Sequence, residues 1–167
     1  GFINLIYYII FMINNLLPLL NNENIYLIAN WGVIPFWLLL VILPNHGITN
    51  FLAQSIIAPL LLASAYSLIA YNIFLEGNIL DSFELYSGLD GLYSMFSNEA
   101  FLLIFWLHFL SISLFTGAWI VRDSSKFIML RAFVVISLIF TYFSGPIGLL
   151  IYWFFRIFFA KKISFND

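Results

Sequence analysis

Four long runs of apolar residues, separated by short polar turns, constrain this chain more than any other feature. They cover residues 25–43, 51–75, 100–121 and 131–159. About 20 apolar residues suffice for an α-helix to cross the hydrocarbon core of a bilayer. Because helices satisfy all their backbone hydrogen bonds internally in lipid, the runs predict an all-α, polytopic membrane helix bundle with four transmembrane helices.

Composition agrees with this interpretation and excludes several classes of function. Hydrophobic residues make up 63% of the chain and charged residues 8%, whereas about a quarter of an ordinary soluble domain is charged. The net charge of −2 argues against a nucleic-acid partner. With no cysteine and two histidines, the chain lacks thiolate ligands and cannot form a three-histidine zinc site. We therefore expect no metal and no cofactor.

The first residues form a fifth apolar segment whose role stays open. Residues 2–20 are apolar but are interrupted by Asn14, Asn15 and Pro18, so they fit either an extra span or an interfacial helix. A signal peptide fits poorly, because the segment has no basic start and no small-residue cleavage site. The predicted organisation is an N-terminal apolar segment (1–24), a transmembrane bundle (25–160) and a polar tail (161–167).

Charge in the connections predicts an orientation. The connection 122–131 holds Arg122, Lys126 and Arg131, whereas the connection 76–99 holds five acidic residues and no basic one. Basic residues in short loops favour the cytoplasmic side. We expect 122–131 to face the cytoplasm and 76–99 the opposite side, in a bacterial inner membrane or an organelle membrane.

The last apolar run leaves the side of the C-terminal tail open. A single crossing would carry Arg156, Lys161 and Lys162 to the side opposite the basic connection, against the charge rule. A re-entrant hairpin bent at Gly145-Pro146 would bring them back. The plain crossing is the favoured prediction.

Two ionisable residues on the third span are candidates for catalysis. His108 lies near mid-span, where polar groups are costly and often functional. It is either a proton carrier, an axial ligand to a pigment or haem, or a histidine hydrogen-bonded to a neighbouring helix. Glu99 begins the same helix. It is either a favourable charge at a helix N-terminus capped by Ser97 or Asn98, or a general acid at the membrane interface.

The helical repeat separates these two candidates. At about 100° per residue, His108, Ser111 and Phe115 fall on one stripe, whereas Glu99 and Trp106 fall near the opposite face. The two candidates are about 13 Å apart along the axis, so they do not form a pair on one small group. The glycines around Gly145-Pro146 fit either a kink that opens a cavity or close helix packing.

Several short motifs lie along the chain, namely NWG (30–32), LPN (43–45), SMFSNE (94–99), WLHFL (106–110), LF (114–115) and GPIGL (145–149). In their order and spacing they resemble the abscisic-acid-deficient-four family, the neoxanthin-synthase-like membrane proteins of plants and bacteria. The glycine-containing stretch 87–92, together with Pro35, Pro59, Tyr66, Tyr71 and Arg156, agrees in position, so the resemblance covers roughly 26–159. The family usually has an aspartate where this chain has Ser113.

The resemblance implies a function on a carotenoid or similar lipid. Plant members are implicated in isomerising an epoxide to an allene, which needs a proton donor and a proton acceptor but no redox cofactor. In this chain Glu99 and His108 would be the catalytic candidates. The candidates for ligand binding are Phe96, Trp106, Ser111, Ser113, Phe115, Gly145 and Pro146.

Two other functions remain open. One is a non-enzymatic small subunit or assembly factor of a membrane complex, working with membrane-protein partners or as a homo-oligomer, which the missing aspartate favours. The other is a pigment or haem carrier ligated by His108. Whether the protein is an enzyme therefore stays undecided from its sequence.

Overall fold

The computed structural model of the protein describes residues 21–55, 57–76 and 79–161, and these form helices and connecting turns without a β-strand. The all-α prediction is confirmed for this part of the chain. The extra helix predicted within residues 2–20 and the tail from residue 162 onward lie outside the described residues.

Seven α-helices and one 3₁₀ helix are described. They are α1 (Asn22–Ile42), α2 (Gly47–Leu52), α3 (Ile57–Glu76), the 3₁₀ helix (Ile79–Tyr86), α4 (Leu89–Phe96), α5 (Glu99–Lys126), α6 (Arg131–Ser144) and α7 (Pro146–Ala160). Three segments are long and apolar enough to cross a membrane, namely Asn22–Ile42, Gly47–Ile73 and Glu99–Lys126. They correspond to the first three predicted spans.

The second of these segments is broken near its start. Helix α2 ends at Leu52 and α3 begins at Ile57, so Pro59 lies in the first turn of α3. A proline there costs little, because the amides of a first turn have no partner within the helix. The Pro59 carbonyl accepts a hydrogen bond from the Ser111 hydroxyl of α5 at 3.3 Å, which joins the two helices.

Helix α5 forms the centre of the bundle and runs parallel to α1. The indole of Trp106 donates to the side-chain oxygen of Asn30 at 2.8 Å. Nearer the end of α5, a Cβ on Gly117 would stand 2.7 Å from the Trp37 ring of α1. Any larger residue at position 117 would therefore clash with this ring.

The bundle has two chemically distinct ends. We call the end that holds Glu23 of α1 and Glu99 of α5 the acidic end; these two residues line one cavity. The opposite end, where α1 and α5 finish, is the basic end. There the Arg131 guanidinium donates to the carbonyls of Val41 and Ile42, at 3.0 and 2.6 Å. These bonds satisfy carbonyls that the end of a helix leaves without a partner.

The last apolar run folds as a hairpin of two short helices. Gly145, with φ +55°, separates α6 from α7. The rings of Phe133, near the start of α6, and Phe155, late in α7, stack with centroids 4.3 Å apart. At the turn, a Cβ on Gly148 would stand 2.1 Å from the Thr141 backbone nitrogen, so glycine is required for this approach.

The favoured prediction of a single crossing by residues 131–159 is therefore wrong, and the re-entrant alternative describes the observed geometry. Helices of 14 and 15 residues are about 21–22 Å long, short of the roughly 30 Å hydrocarbon core. The start of α6 and the end of α7 both lie at the basic end of the bundle, because Arg156, near the end of α7, contacts Asp123 of α5 there.

A candidate ligand-binding cleft at the acidic end

A cavity of about 750 Å³ lies between α1 and α5 at the acidic end. Its aromatic lining consists of Tyr26, Phe96, Phe105, Trp106 and Phe109. Tyr26 and Trp106 remain 42% and 37% exposed, so the cavity opens onto the outer surface of the bundle. An apolar ligand could enter it sideways from the lipid.

Both carboxylates at this cavity belong to the first turn of a helix. Glu23 follows the cap Asn21, whose side chain accepts from the amide of Asn24 at 2.8 Å. Glu99 follows Asn98, whose side chain accepts from the amide of Phe101 at 3.1 Å, so Asn98 is the cap, one of the two predicted. Negative charge is favourable at both positions because helix N-termini carry partial positive charge.

A second cavity, of about 490 Å³, continues the first toward the middle of the bundle. The two cavities share Tyr26, Trp106 and Phe109, and we call them together the cleft. Tyr142 and Phe143, at the end of α6, line the deep part. The cleft thus runs from the two glutamates down to the tip of the hairpin.

Aromatic packing fixes the walls of the cleft. Phe96 of α4 lies against Phe105 of α5, with ring centroids 4.5 Å apart. Trp106 and Phe109 stack at 5.4 Å, and the Trp106 indole is held by Asn30. Two polar side chains of the deep part, Asn30 and Trp106, thus bond to each other, and the rest of its lining is mainly apolar or aromatic.

The predicted site residues fall into three groups in the structure. Phe96, Glu99 and Trp106 line the cleft. Ser113 and Gly145 lie directly beneath it, where a Cβ on Gly145 would stand 3.3 Å from the Ser113 hydroxyl oxygen and 3.5 Å from the Phe109 ring. Pro146 is exposed and begins α7. The Gly145-Pro146 motif thus makes a tight turn in contact with the cleft, rather than a kink within one helix.

His108, Ser111 and Phe115 belong to the third group, on another face of α5. None of them lines the cleft. His108 is exposed and Phe115 is 57% exposed, while Ser111 bonds to Pro59. The separation of Glu99 from His108 expected from the helical repeat is therefore present in the structure.

A buried polar cluster at the basic end was not among the predicted sites. One carboxylate oxygen of Asp123 accepts from the Tyr152 hydroxyl and from Arg156 Nε, each at 2.6 Å. The guanidinium carbon of Arg156 lies 4.7 Å from the ring centroids of both Phe127 and Trp153. All three polar residues are buried.

The sequence carried a weak signal for this cluster. Tyr152 and Arg156 are four residues apart, which places them on one helix face. Asp123 looked like part of a polar turn, but α5 extends to Lys126, so the carboxylate occupies a buried helical position. The cluster joins the end of α7 to α5 and holds the hairpin against the bundle.

In the described part of the chain, regular structure is entirely helical, and three segments are long and apolar enough to cross a membrane; these are features of an integral membrane protein. The family model described as ABA DEFICIENT 4-like matches residues 24–152, which is well over half of the chain. The protein belongs to this family, and the resemblance drawn from the sequence motifs is confirmed. No curated protein and no solved structure gives a significant match.

Proposed function

We propose that the protein binds a carotenoid or a similar isoprenoid lipid in the cleft and acts on it there. The observation that carries this proposal is a cavity of about 750 Å³ lined by five aromatic side chains, with Glu99 at its mouth. Ligand sites are usually concave and mostly apolar, with a few polar groups that orient the ligand. Flat aromatic rings suit a flat conjugated polyene.

Glu99 is the residue that we propose to act on the ligand. Isomerisation of an epoxide to an allene moves a proton to the ring oxygen and removes one from carbon. A carboxyl group can carry out such a transfer when it is within hydrogen-bond reach of the reacting group. His108 lies on another face of α5, so we do not propose it as the partner of Glu99 on one ligand end.

Pigment binding tests the first part of the proposal. The protein is expressed in a carotenoid-producing bacterial host, purified in mild detergent and examined by visible absorption. We expect pigment to co-purify, and Phe105→Ala or Phe109→Ala in the cleft to lower the amount severalfold. Phe115→Ala, which removes an exposed ring elsewhere on α5, is the matched control. Colourless protein, or equal losses from all three variants, would refute binding in the cleft.

Chromatography of the host's xanthophylls tests the second part. Expression of the wild type in a host that makes epoxy-xanthophylls should produce a new isomer of unchanged mass. Glu99→Gln should abolish the product, while pigment still co-purifies in a reduced amount. If the xanthophyll profile is unchanged on expression of the wild type, the proposed catalytic activity is contradicted, and only the proposed binding remains.

The exposed His108 favours a second candidate, a subunit or assembly factor of a membrane complex. His108 is near the middle of α5, faces outward and makes no hydrogen bond within the described residues. A polar ring in contact with lipid is unfavourable, so a partner helix that covers it would stabilise the protein. Under this proposal His108→Leu weakens co-purification of a partner without changing pigment content.

The exposure of His108 also allows a direct test of the third candidate function, a pigment or haem carrier. A ligand held by His108 would lie on the outer surface of α5, away from the cleft. Its visible absorption band would be lost in His108→Ala and retained in the cleft variants. A band that survives His108→Ala would end this proposal.

We also propose that the basic end faces the cytoplasm. Arg122, Lys126, Arg131 and Lys161 all belong to the ends of helices that finish or begin there. The hairpin agrees with the rule that basic residues favour the cytoplasmic side, because it brings the end of α7 back to the same side as the basic connection 122–131. A reporter fused after the last residue should be active in the cytoplasm, and activity on the opposite side would overturn this orientation.

A further inference from the structure

We propose that Glu23 is a second ligand-binding residue of the cleft, which binds the same hydroxylated end group as Glu99, and that the cleft holds only that end of its ligand. This inference rests on the proposed function and goes beyond it in two respects. It adds a residue that the family motifs do not include, and it limits how much of an elongated ligand the protein can enclose.

The cleft is shallow compared with the thickness of a bilayer. From Glu99 at its mouth to Phe109 at the hairpin tip, α5 advances ten residues, or about 15 Å. This is half of a roughly 30 Å hydrocarbon core, so the cleft is as deep as one leaflet. Tyr142 and Phe143, at the tip of the hairpin, border its deep end. A polyene that reaches both interfaces must therefore leave the cleft and continue through the lipid.

The charged groups of the cleft lie at its mouth. In the deep part, the Trp106 indole nitrogen donates to the Asn30 side-chain oxygen, and most of the other lining side chains are apolar or aromatic. At the mouth, Glu23 and Glu99 border the same cavity from α1 and α5. A polar ligand group therefore belongs at the mouth and the hydrocarbon belongs below it.

The two carboxylates determine which ligand groups suit the mouth of the cleft. Carboxylates accept hydrogen bonds, and both are placed where helix N-termini favour their charge. They would repel an anionic headgroup and would accept hydrogen bonds from hydroxyl groups. A neutral isoprenoid with a hydroxylated ring at one end fits this arrangement of acceptors and apolar walls.

Three carotenoids that differ only in ring hydroxyls provide the test. Hosts that accumulate β-carotene, with no hydroxyl, β-cryptoxanthin, with one, or zeaxanthin, with two, each express the full chain. We expect the singly and doubly hydroxylated pigments to be retained within about twofold of each other. Both should exceed β-carotene by about tenfold or more, the factor that a hydrogen bond to a charged group typically contributes.

Variants assign this preference to the two glutamates. Glu23→Gln and Glu99→Gln should each reduce the preference for hydroxylated pigment, and the double variant should retain all three pigments nearly equally. Glu84→Gln, which changes an exposed acidic residue that does not line the cleft, is the control and should bind like the wild type. Total β-carotene retained by the variants shows that they are folded.

The outcomes separate this inference from the proposed function. Equal retention of all three pigments by the wild type, or a preference that Glu23→Gln leaves intact, would overturn the role of Glu23 while binding stands. Retention of zeaxanthin alone would overturn the one-ended site, because both rings would then be needed. If no pigment is retained, the proposed function fails and this inference fails with it.

Discussion

Replacement of Asp123 by alanine should destabilise the protein more than almost any other single change in the described bundle. The substitution removes the counter-charge of Arg156, a buried residue whose Nε lies 2.6 Å from the Asp123 carboxylate. Breaking a buried ion pair by removing one partner costs about 3–5 kcal/mol. Because Tyr152 loses the same acceptor, we expect a value in the upper half of that range.

A double replacement separates the net contribution of the ion pair from the cost of leaving one charge behind. Asp123→Leu combined with Arg156→Met replaces the pair by apolar side chains of similar size. Such replacements are often neutral or stabilising, so the double variant should recover most of the loss. The rings of Phe127 and Trp153, which contact the guanidinium, would pack equally well against methionine.

Unfolding in mixed micelles measures both variants. Purified protein is titrated with a denaturing detergent and the loss of tertiary structure is followed by tryptophan fluorescence, since Trp119 and Trp153 stack near the cluster. Arg122→Ala changes an exposed charge next to Asp123 and should alter stability by less than about 0.5 kcal/mol. A loss below about 1 kcal/mol in Asp123→Ala, or no recovery in the double variant, would refute the reasoning.

Three further predictions concern the hairpin and its surroundings. Because the chain has no cysteine, single cysteines introduced at Ala132 and at Ala160 can be labelled from each side of the membrane. A hairpin requires both cysteines to react from the same side. Reaction from opposite sides would refute the hairpin. Gly148→Ala, whose Cβ would meet the backbone of α6 at 2.1 Å, should cost about 1–3 kcal/mol, whereas Gly32→Ala, with nothing within 4 Å, should change stability by less than about 1 kcal/mol. Arg131→Met removes two bonds to the end of α1 and should cost about 1–3 kcal/mol in the same detergent titration.

Local features of the sequence were sufficient to predict the helices and their caps. The apolar runs predict membrane-length helices because about 20 residues match the thickness of the hydrocarbon core. Asn98 before Glu99 predicts the start of α5 because a short polar side chain can bond to the free amides of a first turn. The short motifs were also sufficient to predict the family, since their order along the chain is itself informative.

The hairpin could not be predicted with the same certainty, because Gly145-Pro146 is compatible with both a kink and a reversal. What decides between them is long-range packing, namely Phe133 against Phe155 and Arg156 against Asp123. Local chain geometry contains no information on either contact.

Hydropathy, helix caps and motifs act within one or a few turns of the chain, so they are enough to predict a helical membrane protein of this family. The residues that form the site come together only through long-range packing. Glu23 and Glu99 lie 76 residues apart and border one cavity because α1 and α5 run parallel. The hairpin that borders the deep end of the cleft is held in place by a buried ion pair between α5 and α7.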